Sequence, residues 1–350
     1  MSEKVPKIAI NGFGRIGRLV LRALLENQKK DPKLAVDIVA INDLSSPDML
    51  ANLFEFDSVH GRFPGTVKVD NEKKELIFNE DRFKVLAVKD PAELPWKELE
   101  VDYVIESTGL FTKRESMSKH LQAGAKKVIL SAPAKSAKDV DITVVRGVNN
   151  HQLTKDHKLV SNASCTTNCL APVLKVLDEQ FGVKQGIMTT IHSYTNDQRV
   201  LDSQHSDFRR SRAAMMSMIP TSTGAARAIG LVMPHLEGKI DGMAVRVPTP
   251  NVSLVDLTAT VNKKTTKEEV EQAFRDAADK PNELDGIIDY EWRSLVSIDF
   301  NHNKFSSIVD FPSLMVVDGT LVKILAWYDN EWGYANRISE LVFDLWSLDK

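Results

Sequence analysis

The sequence predicts an α/β protein in two parts. A Rossmann-type dinucleotide-binding domain is expected over residues 1–164, and an α+β catalytic domain with a mostly antiparallel sheet over 165–330. Three observations carry this expectation. The chain has 350 residues, more than a single hydrophobic core usually fills. A glycine-rich turn, "GFGRIG", interrupts the first apolar run and opens a helical pattern. Beyond "SNASCTTNC" the texture changes from continuous apolar runs to alternation.

The first element is the apolar run Ile8 to Ile10, broken at Gly12. The pattern resumes with Ile16, Leu19, Val20, Ala23 and Leu24 at helical spacing, so the segment reads strand, turn, helix. "VDIVAIND", "VDYVIESTG" and "AKKVILSAP" follow as further strands. Their continuous apolar character suits a parallel sheet covered on both faces. Later, "GMAVRVPTPNVSLVDLTATV" places Val255, Leu257, Ala259 and Val261 on one face and Asp256, Thr258 and Thr260 on the other. That alternation predicts an antiparallel sheet half covered by helices. "TKEEVEQAFRDAADK" reads as an amphipathic helix with Thr266 as cap and Glu269 as its capping partner. The terminal segment 331–350 is expected to form a helix that packs back on the first domain. The stretch from His192 to Gly224 is too long and weakly patterned for a mere connector, which marks it as functional.

Composition narrows the function classes. Apolar residues make up 43%, charged residues 27%, and the net charge is -3. This balance gives no electrostatic case for nucleic acid or an anionic membrane, so small molecules and copies of the chain itself are the expected partners. No apolar run approaches the ~20 residues that span a bilayer, and the start enters a strand directly, so a cytoplasmic location is expected. The two cysteines, Cys165 and Cys169, lie one helical turn apart, where a disulfide would close almost no loop.

The glycine turn has a mechanism. Gly12 permits the tight turn, Gly14 lets backbone approach a pyrophosphate, and Gly17 allows close helix packing, while the helix N-terminus faces the anion. The second strand ends at Asp43, where a carboxylate can accept from both adenosine ribose hydroxyls and repel a 2′-phosphate. This favours NAD over NADP. The plain alternative is that Asp43 merely caps the turn before "LSSPDML".

Cysteine attacks as the thiolate, whose formation needs help at neutral pH. Cys165 stands at the start of the helical segment "CTTNCLAPVLKVLDEQF", although Pro172 should kink that helix or displace its start. Cys169, facing the apolar "LAPVL" side, reads as a small buried hydrophobe. No finger-like spacing joins the cysteines to His192 or His205, so no metal is expected. His192 follows the strand-like "GIMTTI" and is either structural or a catalytic base. Around it, Thr195, Asp197, Arg199, the basic "RRSR" and "TSTG" offer groups suited to phosphate oxygens; "RRSR" reads equally well as a solvated or subunit-facing patch. Arg246 is either an inward anion binder or an exposed arginine.

Six segments in order, "INGFGRIGR", "SNASCTTNCLAP", "HSYTNDQR", "IPTSTGAA", "RVPTPNVSLVDL" and "WYDNEWGYANR", resemble bacterial phosphorylating glyceraldehyde-3-phosphate dehydrogenases across nearly the whole chain. The resemblance implies that Cys165 is the nucleophile and His192 its base. It implies that Ser164, Thr166, Thr223 and Gly224 hold inorganic phosphate, and that Thr195, Asp197 and Arg246 surround the substrate's own phosphate. Arg15, Ile16, Asp43, Lys89 and Ser131 match cofactor contacts, and Asn330 and Tyr334 match positions beside the nicotinamide. It also implies a homotetramer with the long loop at a subunit interface. Thiolate attack, hydride loss to NAD and phosphate release of the thioester would yield 1,3-bisphosphoglycerate.

Two departures stand out. Lys89 in "VKDP" occupies a place where the family often has arginine, and Ser203 and Gln204 resemble NADP-tolerant relatives. Leu44 after Asp43 matches the NAD pattern, so the expected cofactor is NAD with some tolerance of NADP. Erythrose-4-phosphate dehydrogenase, a Cys–His acyltransferase or hydrolase, and a non-catalytic RNA-associated form are the competing readings.

Overall fold

The computed structural model describes residues 4–350. The chain folds as two compact units, one comprising the residues up to Val144, Gln152–Ala163 and Ala335–Lys350, the other Val145–His151 and Ser164–Tyr334.

The first unit is built on a nine-stranded sheet. Its strands are β1 (Lys7–Asn11), β2 (Asp37–Asn42), β5 (Val67–Asp70), β6 (Glu75–Phe78), β7 (Asp81–Leu86), β8 (Tyr103–Glu106), β9 (Lys127–Leu130), β10 (Ile142–Thr143) and β11 (Leu159–Ser161), while β3 (Phe56–Asp57) and β4 (Gly61–Arg62) form a separate ribbon. The order is β10-β11-β9-β8-β1-β2-β7-β6-β5. Pairing is parallel from β10 to β7 and antiparallel through β7-β6-β5. Ile8, Ala9 and Ile10 are fully buried, as both-face coverage demands. Helix α1 (Arg15–Lys30) buries Leu19, Val20, Ala23 and Leu24, the stripe its spacing foretells. Helices α2 (Pro47–Glu55) and α3 (Arg114–Gln122) complete the crossovers. In the parallel register Asn11 lies opposite both Asn42 and Glu106, so three polar side chains end adjacent strands at one edge.

The second unit holds an eight-stranded sheet. Its strands are β12 (Val183–Ser193), β13 (Ile219–Ser222), β14 (Ile240–Val247), β15 (Ser253–Val261), β16 (Ile288–Glu291), β17 (Ser307–Asp310), β18 (Met315–Val317) and β19 (Leu321–Tyr328). They run β13-β14-β12-β15-β19-β17-β16, with β18 beside β19. Only β12–β14 and β16–β17 are parallel. Val255, Leu257, Ala259 and Val261 are buried along β15. They face α4 (Cys165–Phe181), while α5 (Ala225–Val232) packs on β14 and α6 (Lys267–Asp279) on α4 and β16. The Thr266–Glu269 capping box of α6 is formed in both directions.

Of the two effects expected of Pro172, a displaced start does not occur: α4 begins at Cys165 and is assigned continuously through Pro172 to Phe181. Cys169, Leu170, Ala171, Val173, Leu174 and Leu177 are all buried around it. Tertiary burial of this kind outweighs the lost backbone bond. The last helix, α7 (Trp332–Asp349), contributes its residues from Ala335 onward to the first unit. Among the described residues no helix is long and apolar enough to cross a membrane.

Candidate active site

In the first unit a groove of about 500 Å³ opens at the carboxyl ends of β1, β2 and β8, lined among others by Gly12, Gly14, Asp43, Leu44, Lys89 and Thr108. Open parallel sheets bind ligands at this edge. Gly12 has φ +88°, and a Cβ there would stand 2.6 Å from the Thr108 backbone nitrogen. At Gly17 a Cβ would lie 2.2 Å from the Gly12 carbonyl oxygen. Gly14, the α1 N-cap, faces open space. Gly12 therefore serves the turn and Gly17 the helix contact, neither with room for a side chain, while the backbone at Gly14 is open.

The Asp43 carboxylate accepts from the backbone N–H of Phe13 at 2.9 Å and of Ser45 at 3.0 Å, one on each oxygen. Each oxygen keeps acceptor capacity for a hydroxyl. Arg15 and Ile16 form the first turn of α1, where Arg15 pairs with Asp57 at 3.3 Å. Ser131 follows β9, its N–H donating to the Glu106 carbonyl at 3.0 Å. Open backbone at a helix N-terminus and an acceptor carboxylate at the end of β2 fit a dinucleotide.

The second unit gathers a different constellation. Ser164 caps α4, accepting from the Thr167 N–H at 3.1 Å. Cys165 begins the helix, and its Sγ lies 3.5 Å from Nε2 of His192 near the end of β12. The His192 Nδ1 lies 2.7 Å from the Ser193 carbonyl. The tautomer that donates Nδ1–H to this carbonyl leaves the Nε2 lone pair facing the sulfur, as a general base requires; a proton on Nε2 would instead let Nδ1 accept from Arg246.

Arg246, opposite His192 in the β12–β14 register, donates from Nη1 to the same carbonyl at 2.9 Å. That nitrogen also approaches His192 Nδ1 to 2.9 Å and Thr195 Oγ1 to 3.5 Å. Arg246 thus points toward His192 and Ser193 rather than into solvent.

These neighbours set the electrostatics. Burial pushes the Cys165 thiol up, against the Arg246 charge and hydrogen bonds from Thr166 that pull it down. Burial, then the Arg246 charge, lowers His192 to about 3, against the Ser193 carbonyl. Both shifts favour the uncharged forms of thiol and imidazole. Cys169 is fully buried, 3.3 Å from Ser307 Oγ, and burial pushes it up to about 12.

Other predicted residues lie elsewhere in this unit. Thr166 turns its hydroxyl to Tyr328 at 2.9 Å. Asp197 pairs with Arg210 and, at 3.5 Å, with His205. Thr223 accepts from the Ala225 N–H at 3.2 Å, next to Gly224, the N-cap of α5. Asn330 is buried and accepts from Ser253 Oγ at 2.8 Å; Tyr334 is also buried. Neither is part of the groove in the first unit. Among the described residues no cluster of metal-ligating side chains occurs.

Sequence reasoning missed Tyr328. Its hydroxyl joins Thr166 to Thr190 at 2.8 Å, and its ring stands edge-on to His192, centroids 6.0 Å apart. The only signal was an aromatic at the end of an alternating strand, shared with ordinary core residues.

Comparison with known proteins agrees with this layout. Residues 6–114 match the NAD-binding domain, and residues 164–330 the C-terminal domain, of glyceraldehyde 3-phosphate dehydrogenase. The chain is 58% identical over 332 residues to a plasmid-encoded glyceraldehyde-3-phosphate dehydrogenase of Cupriavidus necator, covering 95% of this chain and 96% of that one. It is 55% identical over 334 residues to the enzyme of Xanthobacter flavus, again 95% and 96% of the two chains. To glyceraldehyde-3-phosphate dehydrogenase 1 of Bacillus subtilis it is 54% identical over 336 residues, 96% of each chain. With a glycine-turn groove in one unit, a paired cysteine and histidine in the other, and relatives matched along almost their whole length, the chain belongs to the glyceraldehyde-3-phosphate dehydrogenase family.

Proposed function

We propose that the protein oxidises D-glyceraldehyde 3-phosphate and phosphorylates the product to 1,3-bisphosphoglycerate, with NAD as cofactor. The observation that carries this reading is the Cys165 Sγ–His192 Nε2 approach at 3.5 Å, with Nδ1 anchored on a carbonyl. His192 accepts the thiol proton as the sulfur attacks the aldehyde carbon, and returns it to the oxyanion to give a hemithioacetal. It next takes the hydroxyl proton as the carbon is oxidised to a thioester. Bound NAD supplies the hydride acceptor for that step. Phosphate then attacks the acyl carbon and Cys165 leaves as thiolate.

Arg246 and Thr195, with Asp197 near them, hold the substrate's phosphate; Ser164, Thr166, Thr223 and Gly224 hold the inorganic one. A phosphate dianion beside Arg246 would offset the second cause that keeps His192 neutral, and so raise its basicity when substrate arrives. Gly12, Gly14, Arg15, Ile16, Gly17, Asp43, Lys89 and Ser131 hold NAD, with Asn330 and Tyr334 at its nicotinamide end. Exposed Leu201, Phe208, Met216 and Met218 on the loop after β12 support a homotetramer, and the protein acts in the cytoplasm.

The test follows reduced-cofactor absorbance with glyceraldehyde 3-phosphate and NAD or NADP, with and without inorganic phosphate. Phosphate-dependent NAD reduction is expected, with weaker use of NADP. Turnover of erythrose 4-phosphate instead, or acyl release without reduction, would overturn the assignment. Sedimentation of the purified protein checks the tetramer.

A further inference from the structure

Beneath the groove of the first unit lies a buried polar network that neither the glycine turn nor the Cys–His pair uses. Trp96, Glu106 and His120 are fully buried. The Trp96 indole N–H, which can only donate, reaches His120 Nδ1 at 2.9 Å. Nδ1 must therefore accept, and the His120 proton sits on Nε2. From there it is donated to Glu106 Oε2 at 3.0 Å. The Asn11 amide donates to the same oxygen at 2.6 Å. The other oxygen, Oε1, accepts from the Thr108 N–H at 2.8 Å and from its hydroxyl.

Each carboxylate oxygen thus holds one part of the groove floor. Asn11 passes the restraint on by accepting from Asn42 at 2.7 Å, and Asn42 in turn exchanges two hydrogen bonds with Val88, both 2.9 Å. Asn11, Asn42, Val88 and Thr108 all line the groove. The Thr108 turn also lies flat against Gly12, in the space a Cβ would need. A small shift of Glu106 would therefore move the surface that meets the ligand.

We propose that Glu106 is a positioning residue for the dinucleotide, locked in place by a neutral His120 whose tautomer is set by Trp96. Cofactor affinity depends on this relay, and the chemistry at Cys165 does not. The inference rests on the reading of the groove as the NAD site.

The experiment compares full-length wild type with Glu106→Gln, Glu106→Asp and Trp96→Phe. It measures NAD binding by equilibrium dialysis, KM for NAD and for the aldehyde phosphate, kcat at saturating NAD, and the rate of Cys165 alkylation by iodoacetamide. Glu106→Gln should weaken NAD binding about tenfold and Trp96→Phe about threefold, with kcat and alkylation within about twofold of wild type. Glu106→Asp, which restores the charge, should recover part of the affinity. Unchanged NAD affinity in a folded Glu106→Gln protein, or an equal fall in kcat and alkylation, would overturn the proposal. Should Glu106→Gln not fold, the neutral Trp96→Phe change decides by the same split. A wild type that does not bind NAD would instead defeat the reading of the groove itself.

Discussion

Cys165 and Cys169 sit one turn apart on the same helix, yet they are chemically different residues. Cys165 is half-buried at the helix start, where it meets an imidazole, a guanidinium and the N–H of Thr166. Cys169 is sealed among apolar side chains, with Ser307 and the Ala326 carbonyl as its only polar neighbours among the described contacts. Burial raises both thiols; only Cys165 has a cation that pulls back. Position on a helix therefore does not make a nucleophile. The elements packed against it do.

The largest test of this contrast removes the sulfur proposed as nucleophile. Cys165→Ser should lower phosphate-dependent NAD reduction at least about a thousandfold, because a serine hydroxyl is a far weaker nucleophile here. Retained activity in that variant, with loss in a Cys169 variant, would reverse the assignment. Next, His192→Gln removes the proposed proton acceptor and should slow turnover by a factor on the order of a hundred to ten thousand at saturating substrate.

A smaller and more informative change is Arg246→Leu. The Arg246 charge lowers both groups, so its loss should move the Cys165 alkylation profile to higher pH and let His192 rise from about 3. Less thiolate is then present at any given pH, and KM for the aldehyde phosphate should increase. An alkylation profile that stays put would show that the guanidinium does not act on the sulfur. Smallest of all, Cys169→Ala should leave turnover within about twofold and reduce stability by about 1–2 kcal/mol through the small void it creates, read by denaturant unfolding.

The contrast also marks what could be read in advance. The two-part α/β class and the glycine turn are legible because each depends on neighbours within a few positions. Gly12, Gly14 and Gly17 carry their geometry wherever a strand meets a helix. That Cys169 would be buried followed from the apolar "LAPVL" beside it. The direction of Arg246 did not, since strand alternation says which face a residue shares and not which face is covered. Tyr328 and the Glu106–His120–Trp96 network were invisible for a related reason: their partners lie far away in sequence, and buried polar residues leave no periodic trace. The antiparallel edge β5-β6-β7 was also missed. Leu76, Phe78, Phe83 and Val85 do alternate inward there, but the charged residues between them leave no continuous apolar run.

The reactive corner of the second unit is assembled from β12, β14, β19 and the start of α4. The bond between Thr166 and Tyr328 alone joins residues 162 positions apart. Contacts of such long range form late, after the closure entropy of the intervening chain has been overcome. During synthesis Cys165 must therefore remain an ordinary thiol until almost the whole chain has emerged and the sheet has closed around it. A nascent or partly unfolded molecule thus carries the sulfur without the neighbours that tune it.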